Sequence, residues 1–258
     1  MILKSEDSGR VRRLTLNRPE ALNAFNNALF AAVRDALQKA EQDAGVAVVV
    51  LTGEGRAFSA GQDLAEMRAM LDGGGEAHQF PSFFAQLTSF RKPLVAAVNG
   101  IGVGIGMTML AHCDVVLMAS DARLRTPFPQ LGLAPEAGSS ALFPLLMGWQ
   151  WAAYTLLSGK WLTAEEAHAA GLVWKVCPRQ DLLEQAMTVA TEIAANPIPS
   201  LIATKELMLA GGRRVLAQQA HAREIAAYRP LVGAPANREA VAAFLEKREP
   251  DFSKIPGA

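Results

Sequence analysis

Cysteine is scarce in this chain of 258 residues, which has Cys113 and Cys177 and no other. Two cysteines cannot build a disulfide framework, and each sits in an apolar run, as a buried free thiol does. We therefore expect a reduced, intracellular protein, located in the cytoplasm. An excess of one charge is missing too. With 25 basic residues against 25 acidic ones, the chain lacks the cationic footprint of a nucleic-acid binder, and no nucleic-acid partner is expected. The opening MILKSEDSGRVRR is charged and has no signal-peptide core. No uncharged stretch combines strong hydrophobicity with spanning length and freedom from Gly and Pro, so no membrane partner is expected either. Apolar residues make up half of the chain, enough for one large domain or a domain with a smaller appendage.

Five β-branched apolar runs predict strands: Val11 to Leu16, Val46 to Thr52, Leu94 to Val98, Val115 to Ala119 and Leu172 to Val176. Most are continuous rather than alternating, which favours strands covered on both faces, as in α/β proteins. Phe25, Leu29, Val33 and Leu37 recur every four residues and predict one helix face. Helical stretches are also expected at Ala65 to Leu71 and Ser82 to Phe90, with Gly73, Gly74 and Gly75 as a flexible break between them. From about Asp181 the strands stop. Leu182 to Ala195, Ser200 to Leu209, Val215 to Tyr228 and Arg238 to Arg248 read as helices broken by Pro or Gly.

The stretch NGIGVGIGMTML places glycine at every second position from Gly100 to Gly106. A phosphate cradle is the first function to test. A GxGxxG spacing needs glycine at position 105 or 107, which hold Ile105 and Met107, and no Lys-Ser/Thr pair follows, so the spacing rejects it. Two readings remain. The glycines permit close packing, or they shape a path into a helix beginning near Ile105, whose unpaired N–H groups can hold a developing negative charge. A second turn of this kind lies at Gly61, between the strand VAVVVLTG and a helix starting near Asp63. Two such turns can supply the two backbone donors of an oxyanion hole. The same segment, Ala57-Phe58-Ser59-Ala60-Gly61, also resembles a nucleophile elbow, which would make Ser59 a nucleophile served by His168 or His221.

Acids are rare around these turns: from Lys92 to Thr163 there are Asp114, Asp121 and Glu136 alone. Asp114 and Asp121 open a strand and sit in a turn, as structural or solvated acids do. Glu136 follows Pro135 at an apparent helix start between apolar stretches. It either complements the helix dipole or, buried among apolar residues, acquires a raised pKa suited to a general base.

Taken together, LTLNRPEALNAF, FSAGQDL, KPLVAAVNGIGVGIG and AFLEKREPDF resemble the crotonase, or enoyl-CoA hydratase/isomerase, superfamily across nearly the whole chain. The resemblance implies an α/β fold of the crotonase (ClpP/crotonase) type, a spiral of ββα units over residues 1–196 that carries an acyl-CoA site. It also implies a helical trimerisation region over 197–258, and homotrimers or dimers of trimers. Coenzyme A would be part of the substrate, with no separate cofactor and no metal. The oxyanion donors would be the N–H groups of Gln62 and Ile105, flanked by Gly61 and Gly104. Arg18, Ala21, Leu22, Ala60, Asp63 and Leu64 would border the CoA path, while Phe244 and Lys247 would reach a neighbouring subunit's CoA; Lys247-Arg248 also reads as a solvated helix end. Met67, Met70, Leu71, Phe83 and Phe84 would line the acyl pocket or belong to the core.

Hydratases of this superfamily carry glutamates where this chain has Thr108 and Phe128. The stretch through LGLAPEAGSS instead resembles the 3,2-enoyl-CoA isomerase branch, whose single catalytic glutamate falls on Glu136. Moving a double bond from the 3 to the 2 position removes an α proton and returns one at the γ carbon, which one base can do. The expected activity is therefore an enoyl-CoA isomerase of fatty acid β-oxidation type. Alternatives are hydration, isomerisation of a ring-derived acyl-CoA, a non-catalytic acyl-CoA-binding oligomer, and an RNA-binding relative, against which the balanced charge speaks.

Overall fold

The computed structural model describes residues 1–71, 78–246 and 248–255. The expected break at Gly73 to Gly75, and Lys247, lie outside the described residues. The chain opens with a strand absent from the apolar-run reading, β1 (Leu3–Ser8), which turns at Gly9 and pairs antiparallel with β2 (Val11–Leu16). Being an edge strand, β1 is mostly polar and exposed, and its Glu6 and Asp7 pair across the ladder with Arg13 and Arg12. Helix α1 (Asn27–Gln42) is capped by the Asn26 side chain, which accepts from Leu29 N–H at 2.9 Å. Leu29, Val33 and Leu37 line its buried face as expected, but Phe25 lies ahead of the helix, bridged to Gln62.

Three ββα units follow. The first is β3 (Val48–Gly53), β4 (Ala57–Ser59) and helices α2 (Leu64–Leu71) and α3 (Phe80–Ser89). The second is β5 (Leu94–Val98), β6 (Ile101–Val103) and α4 (Ile105–Thr108); the third is β7 (Val115–Ala119), β8 (Arg123–Arg125) and α5 (Ser139–Ser158), kinked at Gly148. In each unit the first strand joins one sheet and the second joins another. The chain then runs through β9 (Leu162–Thr163), α6 (Ala164–Ala169), β10 (Lys175–Cys177), α7 (Leu182–Ala194), α8 (Ile198–Ala210), α9 (Arg213–Tyr228) and α10 (Pro235–Leu245). The large sheet has the order β1-β2-β3-β5-β7-β10, parallel apart from the first pair, and the small one β4-β6-β8-β9.

Continuous apolar runs belong to strands covered on both faces: Val48, Val49, Val50 and Leu51 are all buried. Helix α7 covers this sheet with Leu182, Ala186, Ala190 and Ala194, one face at intervals of four whose small side chains let the helix approach closely. The later helices pack elsewhere, α9 against α3 and α5, and α10 beside the short turn at Pro129–Leu131. The strand expected at Leu172 to Val176 is displaced to β10. Leu172 and Val173 are buried in the turn after α6, where Val173 O meets His168 Nδ1 at 2.9 Å. Among the described residues no helix is long and apolar enough to cross a membrane, and no group of three or more His, Cys, Asp or Glu is placed to hold a metal ion.

Candidate active site

The two glycine turns meet. Gly61 (φ +92) ends the segment after β4, and Gly104 (φ +52) ends β6; a Cβ on Gly104 would lie 4.0 Å from Gly61 Cα. Both conformations are ones an L side chain resists. Neither Gln62 N–H nor Ile105 N–H donates to a backbone carbonyl among the described residues, although the neighbouring N–H groups of Asp63, Gly104 and Met107 all do. Ile105 is the first residue of α4, where the ladder leaves its N–H free. The other glycines of the run serve packing. A Cβ at Gly100 would collide with Arg56 O, one at Gly102 would come within 2.6 Å of Leu124 Cδ2, and one at Gly106 within 2.5 Å of Ser59 O. Both sequence readings of the run therefore apply, at different glycines.

These turns open on a cavity of about 500 Å³. Leu22, Ala60, Gly61, Gln62, Leu64, Gly104, Ile105, Glu136 and Phe244 line it, together with Met67 and Phe128. Arg18, Ala21 and Asp63 do not. Arg18 and Asp63 pair with each other at 3.1 Å, and Arg18 Nη1 donates to Ala24 O, so the two residues tie the first glycine turn to the loop before α1. Phe83 and Phe84 belong to the core, and the side chains of Met70 and Leu71 lie outside the described residues. Ser59 is not poised as a nucleophile. Fully buried, its Oγ donates to Asn23 O at 2.9 Å and accepts from Gly61 N–H, which fixes the turn.

Glu136 is half-buried in the cavity wall, its Oε1 4.0 Å from the Cβ position of Gly104 and hence beside the Ile105 turn. Burial among apolar groups, with the charge of Glu224 adding to it, pushes its carboxyl up to about 8. The turn it stands on is held from every side. Glu136 O accepts from Ser139 N–H and Oγ, Ala137 O accepts from His112 Nε2–H at 2.8 Å, and Gly138 N–H donates to Glu224 at 2.7 Å. Burial holds the His112 imidazole down at about 4, so it is a neutral donor. Glu136 does not complement the α5 dipole, as one sequence reading had it: the helix starts at Ser139, and Glu224 from α9 occupies its N-terminus.

Two nearby residues bear on the type of chemistry. Thr108 is fully buried and does not line the cavity, and its hydroxyl has no partner among the described residues. Phe128 presents a ring to the cavity. A pair of N–H donors beside a carboxylate with a raised pKa can bind a carbonyl oxygen and move a proton on the adjacent carbon.

A family model described as enoyl-CoA hydratase/isomerase matches residues 6–255. The chain belongs to that family. As a member of the enoyl-CoA hydratase/isomerase family it is 38% identical to the 2,3-dehydroadipyl-CoA hydratase of Escherichia coli, over 94% of this chain and 95% of that protein. It is 35% identical to the 1,2-epoxyphenylacetyl-CoA isomerase of the same organism, over 98% of each. The crystal structure of an enoyl-CoA hydratase/isomerase from Pseudoalteromonas atlantica superposes with a TM-score of 0.92 at 36% identity, covering 98% of this chain and all of that one. The fold is thus the crotonase fold, and the family acts on acyl-CoA thioesters.

Several cavity residues of this family member were not singled out from the sequence: Arg125, Gln130, Leu131, Leu133, Trp161 and Tyr228. For α9 a signal exists. Ala217, Ala220 and Glu224 share its buried face, so a carboxylate stands on an inward stripe otherwise made of alanine.

Proposed function

We propose that this chain isomerises a 3-enoyl-CoA to the 2-enoyl thioester, with Glu136 as the single proton carrier. The observation that carries the reading is the placement of Glu136, with its raised carboxyl, beside the glycine turns whose Gln62 and Ile105 N–H groups donate to no backbone carbonyl among the described residues. The ionised carboxylate takes the C2 proton, the electron pair moves through the former 3,4 double bond, and negative charge collects on the thioester oxygen against the two N–H groups. Return of the proton at C4 leaves a 2,3 double bond and regenerates the carboxylate. The same proton leaves and returns, so the chemistry calls for no metal and no redox cofactor. An oxyanion donor of this type is worth about 3 kcal/mol in the transition state, and the positioned base about 10² to 10⁴ in rate.

Hydration needs a second polar group to orient water, and the cavity has Phe128 where the resemblance puts a hydratase acid. Glu249, the other acid along the cavity, lies exposed in the C-terminal segment. Leu22, Ala60, Leu64 and Phe244 would form walls of the thioester path. Exposed Trp149, Tyr154 and Leu157 on α5, and Leu207 and Met208 on α8, are apolar side chains available for self-association as a trimer or paired trimers.

The test is conversion of 3-hexenoyl-CoA to the 2-enoyl form by purified protein, lost in Glu136→Gln while thioester binding is kept. Ample hydration of crotonyl-CoA by that variant would overturn the reading. A second reading, isomerisation of a ring-derived acyl-CoA, draws support from the aromatic lining of Phe128, Trp161, Tyr228 and Phe244, and from the likeness to an epoxyphenylacetyl-CoA isomerase. Product analysis over straight-chain and ring thioesters separates the two.

A further inference from the structure

Helix α9 brings a carboxylate to the back of the site that the mechanism does not use. Glu224 is 5% exposed. It accepts from Gly138 N–H at 2.7 Å, Ser140 N–H at 2.9 Å and Ser140 Oγ at 2.6 Å, the first two being orphan donors at the start of α5. Gly138 is the N-cap residue of that helix and has no side chain to cap it. We propose that Glu224 is a positioning residue for Glu136: it caps α5 from another helix and so holds the Glu136–Ser140 turn with the Glu136 carboxylate in the cavity. The inference rests on Glu136 being the proton carrier.

The turn needs such a hold. Ala137 (φ +58) and Gly138 (φ +72) are successive left-handed residues, and an alanine there is strained. His112 fixes the Ala137 carbonyl from one side and Glu224 fixes the backbone N–H groups of Gly138 and Ser140 from the other. Without Glu224, the N–H groups of buried Gly138 and of Ser140 lose their acceptor.

The same contact sets the field at Glu136. An uncapped helix N-terminus carries partial positive charge and would favour an ionised Glu136; a carboxylate seated on it cancels that pull. The titratable and charged groups facing this region are Glu224, Tyr228 and His221 from α9, His112 behind Ala137, and Arg125, Arg248 and Glu249 along the cavity. His221 Nδ1 stands 3.8 Å from Glu224 Oε2. Burial opposes the Glu224 charge, but the surrounding donors outweigh it and keep this carboxyl below its usual range, whereas Glu136 is raised by burial and by Glu224. The two carboxyls are driven apart.

The test compares Glu224→Gln and Glu224→Asp with the unaltered chain. The Glu136 carboxyl is titrated in the free protein by infrared difference spectroscopy, with Glu136→Gln as blank. Glu224→Gln should lower the Glu136 midpoint by about one pH unit, and Glu224→Asp, which keeps the charge, should restore most of it. With 3-hexenoyl-CoA, Glu224→Gln should lower kcat on the order of 10- to 100-fold with little change in KM, and move the acid limb of the profile with the midpoint. An unchanged midpoint and kcat in folded Glu224→Gln overturns the proposal. Should that variant not fold, Ser140→Ala removes one of the three hydrogen bonds; a several-fold drop in kcat at constant KM supports the proposal, and an unchanged kcat overturns it. A midpoint that moves in a protein that isomerises nothing leaves Glu224 in its role and refutes the isomerase reading instead.

Discussion

Gly61 presses on the carbonyl of Val103: a Cβ built on Gly61 would lie 2.8 Å from Val103 O. The neighbour is backbone of the second glycine turn, so it cannot swing aside as a flexible side chain would. Gly61→Ala should therefore push the two turns apart as well as strain a residue at φ +92. We expect a stability loss of about 1–3 kcal/mol from the backbone alone and a fall in kcat on the order of 10²-fold from the misplaced Gln62 N–H. Thermal melts and steady-state rates read the two effects separately. Wild-type kcat in Gly61→Ala would take Gln62 out of the oxyanion hole.

Glu136 couples activity to stability through pH. Its carboxyl is raised from 4.5 to about 8 by burial and by Glu224. Below pH ~4.5 the folded and unfolded chains both hold this proton. Between there and about 8 the unfolded chain releases the proton while the folded chain keeps it, so the contribution to stability falls as pH rises. Glu136→Gln has no such group. Its melting advantage over the unaltered protein should grow from pH 5 to pH 8, on the order of 1–2 kcal/mol once water reaching the carboxylate through the cavity is allowed for. Isomerisation should show the opposite trend, with kcat/KM rising toward a plateau above about pH 8 as the base ionises. A stability difference that stays flat across this range would mean that Glu136 titrates like a surface carboxylate.

Lys205 and Asp114 join α8 to the large sheet. Lys205 Nζ, buried, donates to Asp114 Oδ2 at 2.7 Å and to Lys92 O at 2.9 Å, while Asp114 also accepts from Leu94 N–H. Lys205→Met would leave a half-enclosed carboxylate and a buried carbonyl short of a donor, at a cost of about 3 kcal/mol. None of these residues lines the cavity, so kcat should hold. Urea midpoints of Lys205→Met and of the double variant with Asp114→Asn check this: the double variant should recover part of the loss.

The inner strands of the large sheet were legible because they are buried on both faces, and burial writes itself as an unbroken apolar run, as at Val48 to Leu51. The small sheet was not. Its strands are two or three residues long and carry residues such as Gly102 and Arg123, so no periodicity develops. β1 escaped for a related reason, since an exposed edge strand has little apolar face to show. At the site, Gly61, Gly104 and Glu136 stood out through local chemistry: glycine at a strand end, and an acid in an acid-poor stretch. Glu224 could not be tied to them from the sequence, because its partners Gly138 and Ser140 are more than eighty residues away along the chain. Arg18 and Asp63 show a different relation. Their positions match the family motif, but their side chains satisfy each other instead of facing the cavity.

Thr108 separates the isomerase reading from hydration without touching the cavity. Its Oγ1 is fully enclosed with no partner among the described residues, so the hydroxyl bears a desolvation cost with nothing to offset it. Valine has nearly the same shape. Thr108→Val should leave the fold unchanged or stabilise it by about 1 kcal/mol, and should leave the isomerisation rate within about twofold, since the hydroxyl neither reaches substrate space nor holds a group that does. If instead this position took part in orienting water, as the acid there does in hydratases, the variant would lose turnover while gaining stability. Melting temperature and the rate with 3-hexenoyl-CoA, measured on the same preparation, decide between the two, and a tenfold loss of rate in a more stable protein would move Thr108 into the reaction.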